Sequence, residues 1–374
     1  MAISDVISSM TTNIENAYSA VNAKGGTLPA QMNLMNLASA INTITGGSNS
    51  DYDLIQRNFT DFVDTSGSIS TIGNGAFAFF SNLSTVSFSE CSTIGTSAFY
   101  SCINLSSISF PKCTTIGNHG FYYCNNINFS SISFPECLSI GNYAFAYCSN
   151  LQTISFPKCT TIGSSAFTQC SNINFSSISF PECTTIGGSA FYYCSKLISA
   201  SFPKCTTIGS YAFNYCQLLA NISFPECTTI GNNAFYACRA LTTISFPKCI
   251  AIGSSAFSYC SNLTTISLPE CTTTGSSAFC SCSKLTKAFF SKCTSIANYT
   301  FVWCSRLSVI DFTNVSQIPQ LGGTAAFFYT PMSYSDYLGY FGSIYVPSSL
   351  YANWITSTNW TTYAARITSA APPA

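Results

Sequence analysis

A phenylalanine, nearly always preceded by alanine, recurs at Phe77, Phe99, Phe121, Phe145, Phe167, Phe191, Phe213, Phe235, Phe257, Phe279 and Phe301. The steps are 22 residues, apart from two of 24, and both long steps carry the same Asn-Ile-Asn-Phe-Ser-Ser insertion, within 125–131 and 171–177. The block that begins at Lys112 returns, lightly edited, at Lys158, which points to duplication of a two-copy unit. Copies this small cannot bury an apolar edge alone. They must lie on one another as a solenoid.

The copy at 241–260 reads LTTISFPKCIAIGSSAFSYC. Leu241, Ile244 and Phe246 flank small polar residues, and the two-residue spacing of Ile244 and Phe246 is that of a strand with one buried face. Pro247 cannot donate to a ladder and ends the strand. After Ile252-Gly253, Ala256, Phe257 and Cys260 share one side of a single helical turn. The residue after Ile-Gly is of a type favoured at helix N-caps, such as Asn74, Thr96, Asn118, Asn142, Ser164, Asn232 and Ser254. Each coil is therefore predicted to be a strand, a corner, a short extended piece and a helical turn.

The pattern LxxIxFPxCxxIGxxAFxxC, running through about residues 60–312, resembles the BspA-like leucine-rich repeat family, with coils one residue shorter than the family's usual ones. The resemblance implies a leucine-rich-repeat β-solenoid of stacked parallel strands, and a surface-exposed adhesion or binding role rather than catalysis. The chain is expected to divide into a helical docking or capping element at 1–48, a solenoid of about eleven coils at 49–312 and a C-terminal cap at 313–374.

The two ends depart from the repeat. Ile3, Val6, Ile7, Met10, Ile14, Ala17, Tyr18 and Val21 follow the stripe of an amphipathic helix, and Leu34, Leu37, Ala38, Ile41 and Ile44 form a second stripe. A helical pair this small needs something to dock on, whether the solenoid, a copy of itself or a host structure. Its KGGTLPAQMNLMNLASAINTI string resembles N-terminal segments of phage and prophage tail-associated proteins. At the other end, SIYVPSSLYANWITSTNWTTYAARI predicts a strand and then an amphipathic helix carrying Trp354, Trp360, Tyr363 and Ile367.

Composition narrows the function. Charged residues make up 7%, with 13 basic, 13 acidic and one histidine, against roughly 25% charged in an ordinary soluble domain. The polar surface must therefore come from Ser, Thr, Asn and Tyr. Zero net charge removes the footprint of a nucleic-acid binder. No apolar run approaches the ~18 residues of a membrane helix. The start, MAISDVISSMTTNIENAY, shows neither a basic n-region nor an apolar h-region. This favours an outward-facing virion protein over one exported to a cell envelope. With so little catalytic raw material, no enzyme activity, cofactor or metal is expected.

Three patterns remain. Of 21 cysteines, twenty form two columns, Cys91 to Cys293 and Cys102 to Cys304, with successive members 11 residues apart, or 13 across the insertions. Zinc-type CxxC and His spacings are absent, so the columns read as packed free thiols. Cys280 breaks both columns and is expected to be the exposed, reactive one. Ahead of each first-column cysteine stands Glu90, Lys112, Glu136, Lys158, Glu182, Lys204, Glu226, Lys248, Glu270 or Lys292. This unbroken alternation would set each Glu between two Lys and disfavour a one-coil slip. Third, Tyr100, Tyr122, Tyr123, Tyr147, Tyr192, Tyr193, Tyr215, Tyr236, Tyr259 and Trp303 lie beside the inward Phe and are expected to form an outward aromatic ridge. Exposed rings of this kind suit a host glycan or protein. The competing surface is the Ser/Thr face of the long sheet, seen in Thr153-Ile154-Ser155 and Thr243-Ile244-Ser245. His119 could be paired with Cys124 as a nucleophile, but no orienting group accompanies them, and a solvated corner is the simpler reading. The array is uniform enough that a rigid spacer is the alternative to a binding protein.

Overall fold

The computed structural model describes residues 60–64, 69–127, 132–151, 154–172, 178–333 and 342–373. The predicted helical stripes within 1–48 lie outside these. The chain forms two compact units, Met1–Asn174 and Phe175–Ala374. Each is a parallel β-solenoid, and the described residues make about 13 turns in all.

The most regular ladder comes from the shortest strands. In the first unit Thr71–Ile72, Thr93–Ile94, Thr115–Ile116, Ser139–Ile140 and Thr161–Ile162 pair in parallel and in register. In the second, the run from Thr185–Ile186 through Thr207–Ile208, Thr229–Ile230, Ala251–Ile252, Thr273–Thr274 and Ser295–Ile296 reaches Gln320–Leu321. The Ile points inward and the Thr outward. The Leu-x-x-Ile-x-Phe strands, expected to make the long sheet, form shorter ones. In the first unit Asp61–Asp64, Thr85–Phe88 and Ser107–Ser109 pair, and Ile132–Ser133 pairs separately with Ile154–Ser155. In the sequence the insertion within 125–131 comes directly ahead of Ile132, and the Thr-Ile ladder pairs in register across it, Thr115–Ile116 with Ser139–Ile140.

The core is two stacked columns of phenylalanine. In the first unit Phe77, Phe99, Phe121, Phe145 and Phe167 stack at 5.0–5.3 Å between centroids and nearly parallel. Phe88, Phe110, Phe134 and Phe156 stack beside them at 5.2–6.0 Å. Rings of the two columns meet edge to face, as Phe110 does with Phe121 at 6.1 Å. Quadrupole electrostatics favours this mix of offset and edge contacts. The second unit repeats the scheme, with Phe191, Phe213, Phe235 and Phe257 at 5.1–5.2 Å.

Glycine after Ile permits the coils to close on each other. A Cβ on Gly231 would lie 2.5 Å from the Ser210 nitrogen and 2.7 Å from the Gly209 carbonyl carbon. The contact is backbone on backbone, so no side chain can move to relieve it.

The predicted helical turn is not helical. In the coil of Phe99, alternate amides take different partners. Ala98, Tyr100 and Cys102 donate three residues back, to Gly95, Ser97 and Phe99, while Ser97, Phe99 and Ser101 donate to Asn118, Gly120 and Tyr122 of the next coil. Ser97 and Ser101 adopt φ of 55° and 57°. The edge is thus a chain of β-turns laced to its neighbour. A six-residue segment is too short to nucleate a helix, and inter-coil bonds satisfy the same groups. The predicted N-cap residues cap across coils instead: Asn74, Asn142 and Asn232 Oδ1 accept from the amides of Thr96, Ser164 and Ser254 at 2.7–2.8 Å.

Charge pairing is dimeric rather than continuous. Each Lys binds the Glu one coil before it, Lys112 to Glu90 and Lys158 to Glu136 in the first unit, and Lys204 to Glu182, Lys248 to Glu226 and Lys292 to Glu270 in the second, at 2.6–2.7 Å. All are exposed, so each pair contributes about 0–1 kcal/mol. Lys248→Glu, which sets like charges beside Glu226, should lower the melting temperature by a few degrees at low salt and by less in 0.5 M NaCl. Equal losses at both salt concentrations would contradict an electrostatic origin.

Beyond residue 312 the turns continue. Phe327 stacks on Phe301 at 5.6 Å and 6°. The single predicted C-terminal helix is instead a short helix, Tyr351–Trp354, a 3₁₀ helix, Trp360–Arg366, and a strand, Ile367–Thr368, which pairs with Ser343–Tyr345. Trp354 and Trp360 pack on Phe312 at 5.6 and 6.0 Å, and Tyr363 packs edge-on to Phe327 at 5.0 Å. Trp360 Nε1 donates to the Pro319 carbonyl at 2.7 Å. These rings close the last members of both Phe columns, which one continuous helix could not do.

Candidate functional site

The turn edge carries the aromatic ridge. Its rings fall at three positions of each coil: two before the inward Phe, one after it and two after it. In the first unit Tyr100 and Tyr122 stack at 4.9 Å and 10°. Tyr147 lies against Tyr122 at 5.4 Å and Tyr123 at 5.6 Å. In the second unit Tyr193 meets Tyr215 at 5.1 Å, Tyr215 meets Tyr236 at 5.6 Å, and Tyr236 meets Tyr259 at 5.2 Å. Tyr192 is tilted on Tyr193 at 5.5 Å. Trp303 stacks on Tyr329 at 3.8 Å and 4°. Tyr123, Tyr193, Tyr259 and Trp303 are exposed, and Tyr100, Tyr122, Tyr147, Tyr192, Tyr215 and Tyr236 are half-buried. The structure thus brings the predicted tyrosines together within each unit as neighbouring rings, while Trp303 stacks on Tyr329, which the sequence pattern did not single out.

Sequence reasoning missed the position two before the Phe. Tyr143, Tyr211 and Tyr299 occupy it, and all are exposed. The signal was the four-residue spacing of Tyr143 to Tyr147, Tyr211 to Tyr215 and Tyr299 to Trp303. Phe79 and Tyr329 extend the ridge at positions outside the best-matching copies.

His119 belongs to this surface and not to a bare corner. Its imidazole is parallel to Tyr143 at 5.0 Å and 4°, and tilted on Tyr122 at 5.4 Å. It forms no nucleophile with Cys124, whose buried Sγ donates to the Phe99 carbonyl at 3.0 Å and whose thiol burial pushes well up in pKa.

The ridge backbone is unusual. Tyr123, Tyr147, Tyr193, Tyr215, Tyr259 and Trp303 all sit at φ between 59° and 62°. Bulky side chains rarely adopt the left-handed region, which costs roughly 1–2 kcal/mol per residue and suits glycine or asparagine. The laced turns hold it in place. Burial, followed by the neighbouring phenols Tyr147 and Tyr100, pushes the Tyr122 hydroxyl up.

Both thiol columns are free and buried, and only Cys280 is half-exposed. Each first-column thiol donates two residues ahead, as Cys113 does to the Thr115 carbonyl at 3.3 Å. Each second-column thiol with a described bond donates to the Phe carbonyl of the preceding coil, as Cys102 does to Phe77 at 2.9 Å and Cys238 to Phe213 at 3.1 Å. Burial pushes Cys113, Cys159, Cys249 and Cys271 up to about 12. Cys280, the most exposed of the cysteines, is half-buried, and desolvation raises its pKa too. Ellman's reagent at pH 8 should therefore react slowly with the native protein, and should count 21 thiols once the chain is unfolded without reductant. A count near one would mean disulfides. Among the described residues no His, Cys, Asp or Glu cluster could hold a metal ion, and no helix is long and apolar enough to cross a membrane.

The signature described as BspA type leucine-rich repeat region matches residues 57–128, 125–239 and 228–336, with six copies. Among solved structures, the chain is similar to a leucine-rich repeat protein from Bacteroides ovatus at 24% identity and a TM-score of 0.51, over 72% of this chain and 76% of that one. It is also similar to the T. pallidum leucine-rich repeat protein at 26% identity and a TM-score of 0.39, over 43% and 80%. A leucine-rich cell surface protein from Faecalibacterium prausnitzii is similar at 20% identity and a TM-score of 0.30, over 70% and 88%. No curated protein matches the chain.

Proposed function

Because the chain belongs to the BspA-type leucine-rich repeat family, a family of generally non-enzymatic binding proteins, we propose that it is an adhesion or receptor-binding protein that recognises a glycan or protein through its aromatic ridge. The observation that carries this reading is the pairing of large aromatic side chains with left-handed backbone at Tyr123, Tyr147, Tyr193, Tyr215, Tyr259 and Trp303. Asparagine or glycine would fold there at lower cost. Strained positions held by their surroundings concentrate at functional sites, and exposed tyrosine and tryptophan are the residues that binding surfaces favour. A pure spacer gains nothing from them.

The Ser/Thr face is the weaker candidate. Hydroxyls along its strands are used within the coil stack, as Ser106 Oγ donates to the Ser84 carbonyl at 3.2 Å and Thr264 Oγ1 to the Thr242 carbonyl at 3.0 Å. The reading places the protein on an outward-facing surface. Its virion form rests on residues 1–48, which lie outside the described residues. Whether the encoding gene sits among virion-structural or envelope genes decides between particle and cell. Deleting residues 1–48 should abolish attachment or oligomerisation and leave a folded solenoid; an unfolded truncation would make that segment a cap.

The test of the ridge is a triple variant, Tyr193→Asn, Tyr215→Asn and Tyr259→Asn, screened with the parent against a glycan array and immobilised extracellular-matrix proteins. Asparagine suits the backbone, so the urea midpoint should hold or rise, while binding to any parental hit falls at least tenfold. Retained binding would move the site off the ridge.

A further inference from the structure

We propose that the ridge of the second unit binds an acidic glycan, its rings supplying apolar contact and Arg239, Lys284 and Arg306 supplying the countercharge. This rests on the ridge being the binding surface and adds the class of ligand. The chain's zero net charge hides a division. Residues 1–174 carry four Lys and Arg against eight Asp and Glu, and residues 175–374 carry nine against five, a net of four positive. Three of those five acids, Glu182, Glu226 and Glu270, are taken by Lys204, Lys248 and Lys292 on another edge.

Arg239, Lys284 and Arg306 stand elsewhere. All three are exposed, and among the described residues no acidic side chain pairs with them. They occupy the turns that follow the ridge within their own coils. The Arg239 amide donates to the Ala237 carbonyl at 2.9 Å, and the turns holding Lys284 and Arg306 are closed by Leu285 to Cys282 and Leu307 to Cys304, both at 3.0 Å. Lys284 and Arg306 are in register one coil apart, since Ser305 Oγ donates to the Ser283 carbonyl at 3.3 Å. Their backbone positions are therefore about one strand spacing, ~4.8 Å, apart, like charge beside like, which is destabilising. On its other edge the same chain alternates sign and avoids this. A bound anion removes the repulsion.

The surroundings select the anion. Trp303, three residues before Arg306 in the same coil, stacks on Tyr329, and Tyr236 lies tilted between Tyr215 and Tyr259 in the coil where Ala237 stands in place of a ring. Serines 261, 283 and 305 line the cation row. One cation every one or two coils is sparse beside a nucleic-acid strand, with its phosphate every ~3.4 Å. It suits acid groups spaced along a polymer rich in hydroxyls.

The test uses the full chain and calorimetric titration with heparin, polygalacturonate and uncharged dextran, with poly(dT) and polyglutamate as comparators. Heparin or polygalacturonate should bind better than dextran, and the preferred one tells sulfate from carboxylate. The double variant Lys284→Ala with Arg306→Ala should bind that glycan at least tenfold more weakly, with a flatter salt dependence and a urea midpoint that is equal to the parent's or higher, because the like-charge repulsion is gone. Dextran bound as well as either acidic glycan, an unaffected double variant, or tighter binding of poly(dT) or polyglutamate would overturn the proposal. Dextran binding lost in Trp303→Ala would keep the ridge and sink the acidic ligand. Heparin binding that ignores Trp303→Ala and the tyrosine variant would sink the ridge reading itself.

Discussion

Raising the pH from 8 to about 10.5 should unfold this protein. Ordinary cysteine ionises near ~8.5, but in the fold Cys113, Cys148, Cys159, Cys249, Cys271 and Cys293 are held at about 12 and Cys205 at about 11. Burial is the first cause in every case. A thiol raised in this way keeps its proton in the folded chain after the unfolded chain has released it. Its stabilisation is complete below the unfolded pKa and is lost as pH climbs toward the folded one. Each such thiol removes about 1.4 kcal/mol per pH unit above ~9. Seven of them remove on the order of 10 kcal/mol per unit, comparable to the whole stability of a typical domain, about 5–15 kcal/mol. Urea midpoints measured under reductant from pH 7 to 11 should be flat to about pH 8.5 and then fall steeply. Replacing Cys159 and Cys249 by alanine should make the fall shallower. A midpoint unchanged at pH 10.5 would mean the thiols are not buried as described.

Phe191→Ala should cost about 3–5 kcal/mol, the usual range for a fully buried phenylalanine. Phe191 has no exposed surface. It stacks on Phe213 at 5.1 Å and meets Phe180 and Phe202 at 6.3 and 6.1 Å. In a stack each coil is stabilised by its neighbours, so the cavity weakens the interfaces on both sides. Urea unfolding should show an earlier and broader transition. Phe79→Ala is the control, since Phe79 is 51% exposed and its loss should be nearly neutral to stability. Equal effects of the two substitutions would refute the two-column core.

Much of this was legible in the sequence, and the sequence fell short where residues answer to the neighbouring coil. The ridge shows both. Tyr100, Tyr122 and Tyr193 could be placed beside the inward Phe from spacing, but Tyr143, Tyr211 and Tyr299 could not, because a helical turn puts position −2 on a different side from the chain of turns that forms. His119 looked isolated because its partner Tyr143 lies 24 residues away. The long sheet was assigned to the Leu-x-x-Ile-x-Phe strands, whose pattern is stronger; the two-residue Thr-Ile pieces form it, keeping their register from coil to coil even where 24 residues separate them.

The sequence alone determined the stack, the two inward Phe columns, the buried thiols and the opposite charge one coil away, since each follows from a short spacing repeated at a constant period. Only the tertiary structure decided the turn edge. There half of the amides bond to carbonyls of the next coil, and those bonds, rather than any local propensity, hold tyrosine and tryptophan at positive φ and set which rings face outward.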